Sequence, residues 1–142
     1  MNSDFCVAVH ALVFLNHKAC VQSSDALAEN ICTNPARVRK VMAKLKKAGF
    51  IETKEGSEGG YRFSGDAAAV SLADIAEALD VQFVSSSWHS GDSDMKCLIA
   101  SGMAGLMDDV FGDLDRLCRE RLRQRTIAEL DKRIFHAAKK EG

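Results

Sequence analysis

The rhythm of apolar positions changes several times along this chain, and each change predicts an element. Residues 5 to 15, FCVAVHALVFL, are apolar on nearly every side of a helix, which predicts a helix at the centre of a core, ending near Asn16. After the polar link KACVQSS, Ser24 is placed to cap a short helix, DALAENI. In TNPARVRKVMAKLKKAGF, residues 33 to 50, Val38, Val41, Met42 and Leu45 recur at helical spacing and form one apolar face. Asn34 supplies an N-cap oxygen, and Pro35 takes the first helical position, where its missing N–H costs nothing. Gly49 stops the helix. A short helix, a tight turn and a second helix with an apolar inner face form a helix-turn-helix.

The rhythm then shortens. IETK and YRFS predict two strands around EGSEGG, whose glycines permit positive φ, so the pair forms a hairpin, or wing. Ser71 and Asp74 make a capping box that opens SLADIAEALD. Residues 82 to 96, QFVSSSWHSGDSDMK, have no period and predict a loop. Helical spacing resumes with Ile99, Met103, Leu106, Val110, Leu114 and Leu117, a narrow seam on a helix from about Cys97 past Leu122. Such a seam outside the winged domain calls for a partner helix, so a homodimer is expected. Thr126 and Glu129 open a last helix, TIAELDKRIFHAAKK. The fold class is mainly α (α+β). Residues 1–81 would form a winged helix-turn-helix domain, 82–96 a loop, and 97–142 a long helix and a C-terminal helix.

Length and charge sharpen this picture. A chain of 142 residues buries one modest core, so one domain plus an extension is expected. The net charge of −1 conceals a division: residues 33 to 62 hold eight Lys or Arg against three Glu, while the rest of the chain is acidic. Local density of positive charge, rather than overall charge, grips a polyanion. Lys40 and Lys47 lie opposite the apolar face of the second helix, Arg37 and Lys44 on one flank, Arg39 and Lys46 on the other. A Lys-rich helix alone is as often a solvated face. The Asn-Pro start, the preceding short helix and the hairpin carrying Tyr61 and Arg62 together favour double-stranded DNA.

Other chemistries find less support. No apolar run is long enough to span a bilayer, and MNSDFC lacks the basic flank of a secretory signal, so the chain reads as cytoplasmic with no membrane partner. The five cysteines fit neither a disulfide framework nor a paired zinc site. No CxxC, Ser-His-Asp set or Gly-rich phosphate loop supports an enzyme. A protein-binding adaptor and a thiol-dependent redox protein are the alternatives to a DNA-binding regulator. Trp88 and His89 are candidates to line a pocket or pin the loop, and the Arg-rich segment 116 to 125 to touch phosphate or face solvent.

The runs AVHALVFL, SSDALAENICTNPARVRKVMAKLKKAGFIETKEGSEGGYRF and VSLADIAEAL resemble the Rrf2 family of bacterial winged-helix transcription regulators, over roughly residues 5 to 80. The most specific part combines NPxxVRKVxxxLKKAGxI with GxxGGYxF. The resemblance implies a homodimeric regulator, read here as a repressor, whose second helix enters a major groove, with residues 82–96 as a sensor-region loop and 97–142 carrying the dimerisation helix and the C-terminal helix. By position it implies base readers at Thr33, Ala36, Arg37 and Lys40, phosphate contacts at Arg39 and Lys44, and wing contacts at Tyr61 and Arg62. Many relatives hold an iron–sulfur cluster on three cysteines before the dimerisation helix. Here that region holds Cys97 alone, so no such cluster is expected. A subunit-bridging site from Cys6, His10 and Cys97 is the remaining route to a metal, against the plainer reading of a packed Cys and a hydrogen-bonded His. Cys97, near a helix start, is instead a candidate redox sensor or an inert thiol at the seam.

Overall fold

A computed structural model describes residues 2–141, with side chains described as far as residue 138. It contains α1 (Ser3–Lys18), α2 (Ser24–Ile31), α3 (Pro35–Lys47), β1 (Ile51–Lys54), β2 (Gly60–Phe63), α4 (Leu72–Ala78), α5 (Leu98–Arg123) and α6 (Ile127–Glu141). The chain divides into two units. One joins residues up to Val81 with those from Leu122 onward, and the other spans Gln82–Arg121.

The first unit is built around α1. Val7, Ala8, Ala11, Leu12 and Leu15 are buried on one side of it, against Leu27 of α2, Val38, Val41, Met42 and Leu45 of α3, and Ile75 of α4. Its other side, with Phe5, Val9, Val13 and Phe14, is only partly covered. The near-uniform apolarity of the sequence therefore marks a helix with two apolar sides, of which the fold buries one. The helix runs to Lys18, just past Asn16, and closes at Ala19, whose N–H donates to the Leu15 carbonyl.

Capping follows the sequence closely. The cap of α2, however, is Ser23 rather than Ser24: Ser23 is extended, and its Oγ accepts the Ala26 N–H at 3.0 Å. Adjacent serines offer equivalent oxygens, and backbone conformation makes the choice. Asn34 and the Ser71–Asp74 capping box cap the N-termini of α3 and α4 as expected, and Thr126 Oγ1 accepts the Glu129 N–H at the start of α6.

β1 and β2 pair antiparallel, Ile51 opposite Phe63 and Glu52 opposite Arg62. The hairpin is tied to the core by a bridge in which Gln22 and Tyr61 exchange backbone hydrogen bonds of 2.9 and 2.8 Å. Gly60 permits this approach, because a Cβ there would lie 2.2 Å from the Gln22 carbonyl oxygen. α6 packs along α1, with Ile127 fully buried and its N–H donating to the Val70 carbonyl. This helix completes the core of the first unit, where the sequence pattern alone grouped it with the helix before it.

In the second unit, residues 82–97 are irregular and lead into α5. Asp115 anchors the start of this segment by accepting the N–H groups of Phe83 (2.7 Å) and Val84 (3.1 Å). The 26-residue α5 has no buried residue.

Candidate nucleic-acid interface

α3 stands on a fixed base. Asn34 Oδ1 accepts the Arg37 N–H at 2.8 Å, Pro35 occupies the first turn, and the four apolar side chains facing inward are essentially inaccessible. The turn before it passes through Cys32 in the left-handed region, φ 63°, and the Thr33 N–H donates to the Ala28 carbonyl. Thr33 is half-buried beside this turn, and Ala36 is exposed.

The basic side chains divide by what holds them. Lys40, Lys44, Lys46 and Lys47 are exposed and make no hydrogen bond or ion pair among the described residues. Their charge is uncompensated locally, the condition under which a basic face grips phosphate. Arg39 reaches Ser24 Oγ at 3.5 Å, a long contact. Arg37 is half-buried, and its Nε donates to Asp4 Oδ1 at 3.0 Å. In the wing, Arg62 Nη2 donates to Glu52 Oε2 at 2.7 Å, and Ser64 Oγ donates to Glu52 Oε1 at 3.4 Å. The hydrogen bond from Arg62, then its charge, hold the Glu52 carboxyl below its ordinary range. Tyr61 is partly buried against the core.

The two carboxylates were not foreseen. Asp4 lies 33 residues before Arg37, with no spacing rule to link them. Glu52 could be paired with Arg62 only by assuming the strand register.

On α5, Ile99, Leu106, Val110, Leu114 and Leu117 are 72, 57, 42, 44 and 60% exposed. Met103 on the same seam is half-buried. In the Arg-rich segment 116 to 125, Arg116 pairs with Asp113, Arg119 with Asp115, and Arg125 with Glu129. Trp88 is 75% exposed, and His89 Nε2 lies 2.9 Å from Asp108 Oδ1.

Cys97 is exposed just before α5. The N–H groups of Ala100 and Ile99 hold its thiol below the ordinary value, against a small opposing effect of burial. Cys6 and His10 line an open cleft of about 960 Å³ between α1 and α6, together with Phe5, Val9, Leu130 and Phe135. His10 Nε2 lies 2.8 Å from Asn30 Oδ1. Among the described residues no three His, Cys, Asp or Glu side chains come together in a way that could hold a metal. The donor set present in one chain therefore does not fit an iron–sulfur cluster, which takes its iron mainly through several thiolates.

A capped basic helix presented by a helix-turn-helix, followed by a two-stranded hairpin, defines a winged-helix transcriptional regulator. A family model, Rrf2, described as an iron-dependent transcriptional regulator, matches residues 1–133, and the chain belongs to that family. It is 26% identical over 137 residues to YwnA of Bacillus subtilis (strain 168), a candidate HTH-type transcriptional regulator, covering 95% of this chain and 99% of that protein. The crystal structure of a candidate transcriptional regulator from Lactobacillus plantarum superposes with a TM-score of 0.83 at 27% identity, over 96% of this chain and 92% of that one. T. potens IscR shares the fold, with a TM-score of 0.71 at 19% identity over 96% and 89% of the two chains.

Proposed function

We propose that this regulator binds duplex DNA as a homodimer and represses transcription by occupying a promoter. The observation that carries the reading is the exposed lysine face of α3, which makes no ion pair among the described residues and lies opposite a fully buried apolar face. In this reading Thr33, Ala36, Arg37 and Lys40 approach base edges, Arg39 and Lys44 hold phosphates, and Tyr61 and Arg62 flank the site from the wing. Phosphate contacts set position, and base contacts set sequence. Residues 1–81 carry the DNA function, residues 82–96 the sensor region, and the helix beyond it dimerisation.

The dimer is supported by α5, a long helix with no buried residue whose apolar seam is exposed at Ile99, Leu106, Val110, Leu114 and Leu117. Two recognition helices about one helical turn of DNA apart (roughly 34 Å) would then read a two-fold symmetric operator. The dimer binds DNA in its apo form, and control acts through oxidation of Cys97 or through a small ligand near the loop and α5.

Salt-dependent binding of duplex DNA tests the core of this reading. Lys44→Ala should weaken binding to every sequence and reduce the salt slope by about one. A folded Arg37→Glu, Lys40→Glu variant that binds like wild type would overturn it. Anaerobic purification with iron and sulfide analysis tests the apo assignment, and stoichiometric iron and sulfide would refute it. Operator binding lost on peroxide treatment, but kept in Cys97→Ser, would establish the thiol switch.

A further inference from the structure

Arg37 is anchored twice. Its backbone N–H is capped by Asn34, and its side-chain Nε donates to Asp4, which belongs to the first turn of a different helix, α1. The ion pair is only partly screened, with the two side chains 34% and 39% exposed. The terminal nitrogens Nη1 and Nη2 make no hydrogen bond among the described residues. Asp4 thus occupies the inner donor of the guanidinium and leaves its outer fork open.

This geometry has a specific use. The guanidinium is planar and rigid, so a carboxylate on Nε restricts the direction in which the fork points. Two parallel donors on one fork match the O6 and N7 acceptors of guanine in the major groove. A carboxylate beside the recognition helix also carries a cost, because it repels the phosphate backbone. A group that served only general affinity would not be acidic here.

We propose that Asp4 is a positioning residue for specificity: it holds Arg37 so that Nη1 and Nη2 read a guanine edge, and it gives up some general DNA affinity in doing so. The inference rests on the DNA-binding reading above, and its consequences have opposite signs for the two kinds of binding. Removing Asp4 lowers discrimination between sequences while leaving binding to random duplex unchanged or stronger. A merely structural contact would weaken both together.

The test uses the full chain and a randomised duplex library. Wild type is first used to enrich a sequence, and Arg37→Ala identifies the base pair whose preference depends on Arg37. For Asp4→Ala, the affinity ratio between the enriched duplex and one altered at that pair should fall roughly fivefold or more. Asp4→Asn, which keeps an acceptor oxygen, should recover part of the ratio. Asp4→Ala added to Arg37→Ala should change the ratio no further. An unchanged ratio in Asp4→Ala, or a proportional loss on both duplexes, overturns the proposal even when Arg37→Ala alters preference. A wild-type protein that enriches no sequence overturns the DNA-binding reading itself. Circular dichroism and thermal melting establish that each variant is folded, and if Asp4→Ala is not, a full wild-type ratio in Arg37→Lys counts against the proposal.

Discussion

Replacing Leu106 and Val110 with Asp should convert a dimer into monomers. Leu106 is 57% and Val110 42% exposed in the single chain, so roughly half of each side chain remains to be covered by a partner. Full burial of such a side chain is worth about 1.5–3 kcal/mol, so covering the remaining half contributes about 0.7–1.5 kcal/mol. In a two-fold dimer both substitutions occur twice, and the four side chains together account for about 3–6 kcal/mol. That weakens dimerisation by about 10²–10⁴-fold, before any cost of bringing aspartates towards an apolar seam. Association itself costs several kcal/mol in lost freedom, so the remaining seam leaves little surplus. Sedimentation equilibrium over a range of protomer concentrations reads the dissociation constant, and far-UV circular dichroism checks that the helices persist. An unchanged dissociation constant in a folded variant would show that the exposed seam of α5 does not hold the two chains together.

Three further outcomes follow from individual contacts. Asn34→Ala removes the oxygen that accepts the Arg37 N–H, and should cost about 1 kcal/mol in urea unfolding at fixed protomer concentration; no loss would mean that water replaces the cap. Burial pushes the Asp115 carboxyl up, but the N–H groups of Val84 and Phe83, then Arg119, outweigh it and leave it below the ordinary value. A depressed folded value means that the anchoring is present at neutral pH and is lost as pH falls through that value, on the acid side of the ordinary carboxylate range. The amides of Phe83 and Val84 should lose protection from hydrogen exchange there, and in Asp115→Asn this acid transition should disappear. The N–H groups of Ala100 and Ile99 favour the thiolate of Cys97, so iodoacetamide should alkylate it at neutral pH faster than an unperturbed thiol. Mass spectrometry that found Cys97 no faster than Cys20 or Cys32 would refute the assignment of a reactive thiol.

Local chemistry made much of the fold legible in advance. Asn34, Pro35, Ser71, Asp74 and Thr126 mark helix starts by short-range hydrogen bonding, and the Val38–Leu45 spacing marks the inner face of α3, because both signals act within a few residues. The glycines before Tyr61 announced a turn, and Gly60 proved to admit a backbone contact with Gln22 as well. The exposed lysines were legible for the same reason, since a residue opposite a buried face points outward whatever the rest of the chain does.

Long-range pairing was decided by the tertiary structure. Arg37 and Lys40 were both expected as base readers, yet Asp4 of α1 claims Arg37, while Lys40 makes no ion pair among the described residues. Arg62 likewise meets Glu52 only through the register of the wing. α6 packs along α1, where Asp131 meets Asn16 and His17, a pairing that no helical period could assign. A period in sequence states that a face must be covered, not by what. The covering group comes from wherever the folded chain brings complementary shape and charge within contact distance, and for α5 we propose that a second chain supplies it.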